Sequence, residues 1–131
     1  MDVPEPLADL MEISSQVEAA VVLDDAGEPV ASTLRDEGRA RALAEAAREL
    51  LAAAGRVRGD AELTQLDAAT REGSVFVVRD GGRTIAATTT PSPTVGLVFY
   101  DLKTCLRGLA AADAPPPKKR ARKKKADDAA A

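Results

Sequence analysis

The sequence predicts an α+β protein with the element order α-β-β-α-β-β-β-α. Three observations lead to this prediction. Apolar residues recur at helical spacing in three segments, five short runs have strand character, and glycine-containing turns separate neighbouring runs. Because a chain of 131 residues allows one ordinary domain and a tail, we expect all five strands to form a single antiparallel sheet.

The first segment predicts a helix followed by a hairpin. Its helical spacing indicates a short helix capped near Asp2, with these residues on one face: Leu7, Leu10, Met11 and Ser14. Residues 17–24 are β-branched or small and predict a strand covered on both faces. Residues 25–27 form a turn, and residues 28–33 return as a second strand. Pro29 cannot donate to a ladder, so this strand should lie at a sheet edge.

The clearest helical pattern covers residues 36–57, and Gly55 or Gly59 can end it. Its stripe contains Ala40, Leu43, Ala44, Ala47, Leu50, Leu51, Ala54 and Val57. Alternation of alanine with leucine lets another element approach closely. This face therefore fits either the chain's own sheet or the helix of a partner.

Three more extended runs follow, at residues 63–70, 74–80 and 83–89. The turns between them, 71–73 and 81–82, have the length and glycine content of tight hairpins. We therefore expect an antiparallel meander. The first of these strands carries the most polar side chains, which predicts a free edge.

The last helix is predicted to begin with Ser92 as its N-cap and Pro93 in the first position. It continues to about Leu109 on a stripe of Val95, Val98, Leu102, Cys105, Leu106 and Leu109. Cys105 lies on this stripe, where a buried thiol is common. We also expect Phe99 and Tyr100 to pack against the sheet rather than bind a partner.

Composition excludes several kinds of chemistry. Of 59 hydrophobic residues 27 are alanine, so the core must be small and aliphatic. The absence of histidine removes the usual general base, and with one cysteine it also excludes zinc sites built from Cys and His. Asp24, Asp25 and Glu28 are too few oxygen ligands for an EF-hand and indicate a turn. We expect no metal and no cofactor.

Two further absences bear on nucleotides and location. The sequence has no G-x-x-x-x-G-K-[ST] loop and no G-x-G-x-x-G fingerprint, so we do not expect it to bind a nucleotide itself. Residues 1–16 lack the basic start and apolar run of a signal peptide, and no apolar stretch is long enough for a bilayer. These features predict a cytoplasmic protein. The heavy use of alanine and arginine is typical of GC-rich bacterial genomes.

Charge divides the chain into a domain at 1–112 and a tail at 113–131, which we expect to be disordered. Residues 1–113 carry 11 basic and 19 acidic side chains, whereas residues 114–131 carry seven and two. After Pro115–Pro117 the tail cations are Lys118, Lys119, Arg120, Arg122, Lys123, Lys124 and Lys125. Such a run can bind an anionic lipid surface, nucleic acid or an acidic protein, and the first two would place the protein at the membrane or the nucleoid. The alternative is a solubilising end without a target.

The order of elements resembles that of the roadblock domain family, which is related to dynein light chains and longins. The stretches that carry the resemblance are VEAAVVLDDAGEPVAST at 17–33, the alanine-rich helix, and SVFVVRDGGRTIAATTTPSPTVGLVFYDLKTCL at 74–106. It covers residues 7–109 and is strongest to the bacterial MglB-like members. The resemblance implies a profilin-like sandwich, with the long helix on one face of the sheet and the terminal helices on the other.

The resemblance also implies a homodimer in which the long helices pack antiparallel and the third strands pair edge to edge. On the helix the contact would use Ala40, Leu43, Ala44, Ala47, Leu50, Leu51 and Ala54, and on the strand Thr64, Leu66 and Ala68. It further implies a non-enzymatic regulator or scaffold of a small Ras-like GTPase, acting in activation, exchange or as a platform.

Five arginines are candidates for a finger that stabilises charge on the partner's phosphoryl group: Arg35, Arg39, Arg41, Arg71 and Arg79. The favoured interpretation of each is a solvated surface residue with local ion pairs. A rival hypothesis makes the folded domain only a dimeriser of two basic tails that bind nucleic acid or an anionic membrane. Deleting residues 114–131 separates the two hypotheses, because only the rival loses all binding.

Overall fold

A computed structural model of the chain describes residues 3–113. The predicted element order is confirmed, and the elements are α1 (Glu5–Ile13), β1 (Val17–Leu23), β2 (Pro29–Ser32), α2 (Glu37–Val57), β3 (Gln65–Ala69), β4 (Ser74–Asp80), β5 (Arg83–Thr89) and α3 (Val95–Asp113).

The five strands form one antiparallel sheet in the order β2-β1-β5-β4-β3. Both predicted edge strands, β2 with its Pro29 and β3, are therefore at the edges. The β4–β5 turn contains Gly81 and Gly82 with φ of 61° and 82°, the left-handed values that a tight two-residue hairpin needs. Gly27 in the β1–β2 turn has φ of 83°, as its turn position predicts.

Helices α1 and α3 cover one side of the sheet, which we call the closed face. Its buried core includes Leu7 and Leu10 from α1 and a run of α3 side chains: Val98, Leu102, Cys105, Leu106 and Leu109. Phe76 of β4 is fully buried, and its ring meets that of Phe99 edge-on at a centroid distance of 4.9 Å. The two helices approach closely at Gly108, where an added Cβ would lie 3.1 Å from the Cβ of Pro6.

Helix α2 packs on the other side of the sheet, which we call the open face. The N-cap is Asp36, whose carboxylate accepts hydrogen bonds from the amides of Gly38 and Arg39. Helix α2 contacts β1, β2 and β5. Around a small buried core it leaves a set of partly buried apolar residues, which we call the rim: Leu34, Leu43, Leu51, Leu66 and Val75.

Two predicted helix starts are wrong. Helix α1 has Pro4 as its N-cap, without a side-chain cap hydrogen bond, and Asp2 lies outside the described residues. Helix α3 begins at Val95 rather than at Ser92, which has a left-handed φ of 56°. The backbone carbonyl of Thr94 accepts the hydrogen bond from Val98 instead.

One prediction about the last helix is also wrong. Phe99 contacts the sheet as expected, but Tyr100 is 65% exposed. Consecutive residues are rotated by about 100° around a helix axis, so the two side chains cannot share one buried face. Tyr100 is therefore a surface residue.

Candidate interaction surface

The structure divides the predicted interface residues of α2 into two groups. Ala40, Ala44 and Ala47 are fully buried in the chain's own core, against strand residues such as Val21 and Val77. Of the two arrangements that fit the alanine stripe, packing on the chain's own sheet is the one these three adopt. They have no exposed surface in the single chain to offer a partner helix.

The other predicted residues keep part of their surface exposed. On α2 these are Leu43, Leu50, Leu51 and Ala54, all half-buried. On β3, Leu66 and Ala68 are half-buried, and Thr64, which directly precedes the strand, is exposed. Of these, Leu43, Leu51 and Leu66 pack against the core of the open face and also reach solvent. The interface as a whole stays a prediction.

Strand β3 has a neighbour on one side only, because among residues 3–113 it pairs with β4 and no other strand. The carbonyl of Thr64 accepts from the amide of Arg79 at 2.8 Å. Backbone groups alternate along an antiparallel ladder, so Leu66 and Ala68 also direct theirs to β4. The backbone groups that face outwards belong to the residues between them: Gln65, Asp67 and Ala69.

Thr64, Leu66 and Ala68 were predicted as pairing residues because the family resemblance implies edge-to-edge pairing of this strand. The polarity of residues 63–70 indicated the free edge. Which backbone groups of β3 face outwards depends on the register of its pairing with β4, and no local pattern in the sequence of β3 reveals that register. An edge of exposed N–H and C=O groups is a template for another strand.

The five candidate arginines are not gathered into one site. Arg35, Arg39 and Arg41 lie at or before the start of α2, whereas Arg71 lies in the β3–β4 turn. Arg79 forms an ion pair with Glu62 at 3.0 Å, with both side chains well exposed. The arrangement supports the surface interpretation for Arg79.

Sequence reasoning missed a cleft between α2, the loop before β3 and the turns of β1–β2 and β4–β5. It has a volume of about 510 Å³ and is lined by charges of both signs, including Arg48, Arg56, Arg79, Asp24, Asp25, Asp60 and Glu62. The guanidinium of Arg48 donates to the carbonyl of Gly27. Because these residues come from separate loops and one helix, no sequence spacing could have indicated the cleft. Its mixed charges give it no single-sign field for a phosphate.

The remaining candidate groups, Asp24 and Cys105, have structural rather than chemical roles. Asp24 accepts hydrogen bonds from the amides of Ala26 and Glu28, which is turn chemistry. Burial, together with the charge of Asp9, raises the pKa of the Cys105 thiol to about 11. The reactive thiolate is therefore disfavoured at neutral pH. Within residues 3–113 no group of three or more potential ligands could hold a metal, and no helix is long and apolar enough to cross a membrane.

These features define a class of protein: an α+β sandwich with one closed face, one partly covered face and, within residues 3–113, two edge strands, β2 and β3, each paired on one side only. No protein-family model matches the sequence, and no curated protein matches it significantly. The chain has the fold of the roadblock/LC7 domain, so the resemblance inferred from the sequence is confirmed at the level of the fold.

Solved structures show the likeness. A roadblock/LC7 domain from Streptomyces avermitilis superimposes with a TM-score of 0.72 at 17% identity, covering 86% of this chain and 98% of that chain. MglB of Myxococcus xanthus has a TM-score of 0.57 at 14% identity, with coverages of 84% and 89%. An MglB with a tetrameric arrangement has a TM-score of 0.62 at 16% identity, with coverages of 82% and 84%.

Proposed function

We propose that this chain is a non-enzymatic homodimeric regulator or scaffold of a small Ras-like GTPase in the bacterial cytoplasm. The observation that carries the proposal is the combination of partly buried apolar residues on the open face with an unpaired β3 edge. The shared fold with MglB and the resemblance of the sequence to that family support the choice of partner.

The dimer joins two open faces. Pairing β3 with its own copy about Asp67 engages all three outward-facing residues of the strand and removes the exposed edge. It also brings Leu43, Leu51 and Leu66 of each copy towards the other copy's rim. Removal of this apolar surface from water favours association, and a specific interface covers about 800 Å² on each partner.

Regulation then follows from differential affinity. The chain has no phosphate-binding loop, so the nucleotide belongs to the partner. A dimer that binds one nucleotide state of the GTPase more tightly shifts the equilibrium of its switch loops towards that state. Activation, assistance of exchange and scaffolding all use this same preference.

The test measures the oligomeric state of the protein and its nucleotide-dependent capture of a GTPase. Immobilised protein is incubated with lysate containing GDP or a non-hydrolysable GTP analogue, and a GTPase retained in one state is then purified for direct binding and hydrolysis assays. Leu66→Asp places a charge on the open face. Val30→Asp is the matched control, because Val30 is 49% exposed on the opposite edge strand.

We expect the unmodified chain and Val30→Asp to be dimers that bind the GTPase in one nucleotide state. Leu66→Asp should be a folded monomer by circular dichroism and should lose that binding. Deletion of residues 114–131 should leave capture intact. Dimerisation and state-dependent binding that survive Leu66→Asp would contradict the proposal.

A further inference from the structure

A groove runs between α1 and α3, on the outer side of the closed face. Its volume is about 230 Å³, and its lining residues are Glu5, Pro6, Asp9, Leu10, Ile13, Asp101, Thr104, Cys105 and Gly108. Much of this lining is apolar, and Ile13 remains 71% exposed although it is a large aliphatic residue. The groove therefore combines apolar surface with solvent access.

Its charges have a single sign. Glu5, Asp9 and Asp101 line the groove, and none of the described residues that line it is basic. Helix α3 carries two cations, but neither Lys103 nor Arg107 belongs to the lining, and Arg107 pairs with Asp80 of β4 at 3.8 Å.

The negative charge of this region extends beyond the groove. Residues 1–34 contain eight acidic residues and no basic one. Asp9 and Cys105 both line the groove, and after burial the charge of Asp9 is the second cause of the raised pKa of that thiol. The groove is therefore complementary to a positively charged segment that can place methylene groups on its apolar surface.

The same chain contains such a segment close to one end of the groove. Residues 118–125 hold seven cations, whose aliphatic stems can cover apolar surface while their charged ends stay in water. Helix α3 passes the groove at Gly108 and continues to Asp113. From Gly108 to Asp113 the helix rises about 7.5 Å, and the four residues that follow can span about 13 Å. The segment can therefore reach back along α3.

We propose that the basic segment 118–125 docks into the α1/α3 groove of its own chain. The covalent connection through residues 114–117 makes docking an intramolecular event, so weaker contacts suffice than for a free peptide. Docked cations are not available to external anions. The groove thereby lowers the affinity of the segment for any polyanion, and this property does not depend on the proposed GTPase function.

The experiment places a spin label at the end of the basic segment in the full-length chain. Ala126→Cys carries the label, in a Cys105→Ala background that removes the buried thiol. The readout is the loss of amide NMR signal at Ile13, Asp101 and Gly108, relative to the reduced label.

Two matched triple variants change the charge equally. The groove variant is Glu5→Gln with Asp9→Asn and Asp101→Asn. The control variant is Glu45→Gln with Glu49→Gln and Glu72→Gln, all at exposed positions outside the groove. A sample in about 1 M salt, where the Debye length is about 3 Å, screens exposed charges in the unmodified chain.

We expect loss of signal at the groove amides in the unmodified chain and in the control variant, with recovery in the groove variant and at high salt. A uniform loss over the whole surface, no loss, or an unchanged loss in the groove variant would each overturn the proposal. A mixture of spin-labelled and isotope-labelled chains completes the test. Loss of signal that appears in the mixture as strongly as within one chain would assign the segment to another copy and contradict docking on its own chain.

Discussion

The two faces of the sheet use the same five strands but are covered to different extents. On the closed face, two helices bury large side chains such as Phe76, Leu102 and Leu106 completely or nearly so. On the open face, one helix contributes three buried alanines and leaves a rim of half-buried residues. The closed face therefore holds most of the apolar burial that stabilises a single chain, and the open face keeps apolar surface available for a partner.

The largest predicted effect is a loss of stability from a substitution on the closed face that leaves dimer assembly unchanged. Phe76→Ala should lower the free energy of unfolding by about 3 to 5 kcal/mol, because it leaves a cavity and removes the ring contact with Phe99. Urea denaturation measures the loss. The dimer dissociation constant of the protein that remains folded should not change, and a weakened dimer with full stability would contradict the comparison.

The second prediction concerns the open face. Leu66→Ala should change the unfolding free energy of the monomer by about 1 kcal/mol or less, because the side chain is only half-buried. It should raise the dimer dissociation constant about tenfold, equivalent to roughly 1.4 kcal/mol. Sedimentation equilibrium gives the constant. Val30→Ala on the other edge strand is the control and should leave it unchanged.

The third prediction uses the thiol on the closed face. Because folding raises the pKa of Cys105 from 9.0 to about 11, the folded state binds this proton more tightly than the unfolded state does. The resulting stability is fully present below pH 9 and is lost as the pH rises towards 11. Urea midpoints measured across this range should fall. In Cys105→Ala the fall should be smaller, and an equal fall in both proteins would refute the assignment.

The smallest predicted effect tests the register of the proposed β3 pairing. If two strands pair about Asp67, the two carboxylates lie directly opposite each other, and like charges in that position are destabilising by about 0.2 to 1 kcal/mol. Asp67→Asn should therefore tighten the dimer by up to about fivefold. Glu72→Gln, in the neighbouring turn, is the control and should have no such effect. A weaker dimer in Asp67→Asn would rule out this register.

Sequence reasoning predicted the elements well because each had a strong local signal. Strands β4 and β5 were bounded correctly by glycine turns, and Asp36 was correctly placed at the start of the long helix. The errors arose where a local signal had two physical outcomes. Ser92 and Pro93 fit both a helix cap and a loop, and in the structure they lie in the loop before α3, with Ser92 in a bend.

The candidate surface was harder to predict than the fold. Helical periodicity identifies which residues of α2 share a face, but it does not distinguish the chain's own sheet from a partner. Ala40, Ala44 and Ala47 contact the sheet, whereas Leu43 and Leu51 remain partly exposed at its border. The outward-facing backbone groups of β3 depend on pairing with β4, so they could be assigned only from the folded chain.

The proline that begins β2 also limits how far the sheet can grow. Strand β2 has only four residues, and Pro29 has no amide proton to donate to a further strand. If only the β3 edge accepts another strand, joining two copies at β3 would leave no edge for a third chain. Edge pairing would then end in a closed pair of fixed stoichiometry, whereas a sheet that accepts strands at both edges would polymerise.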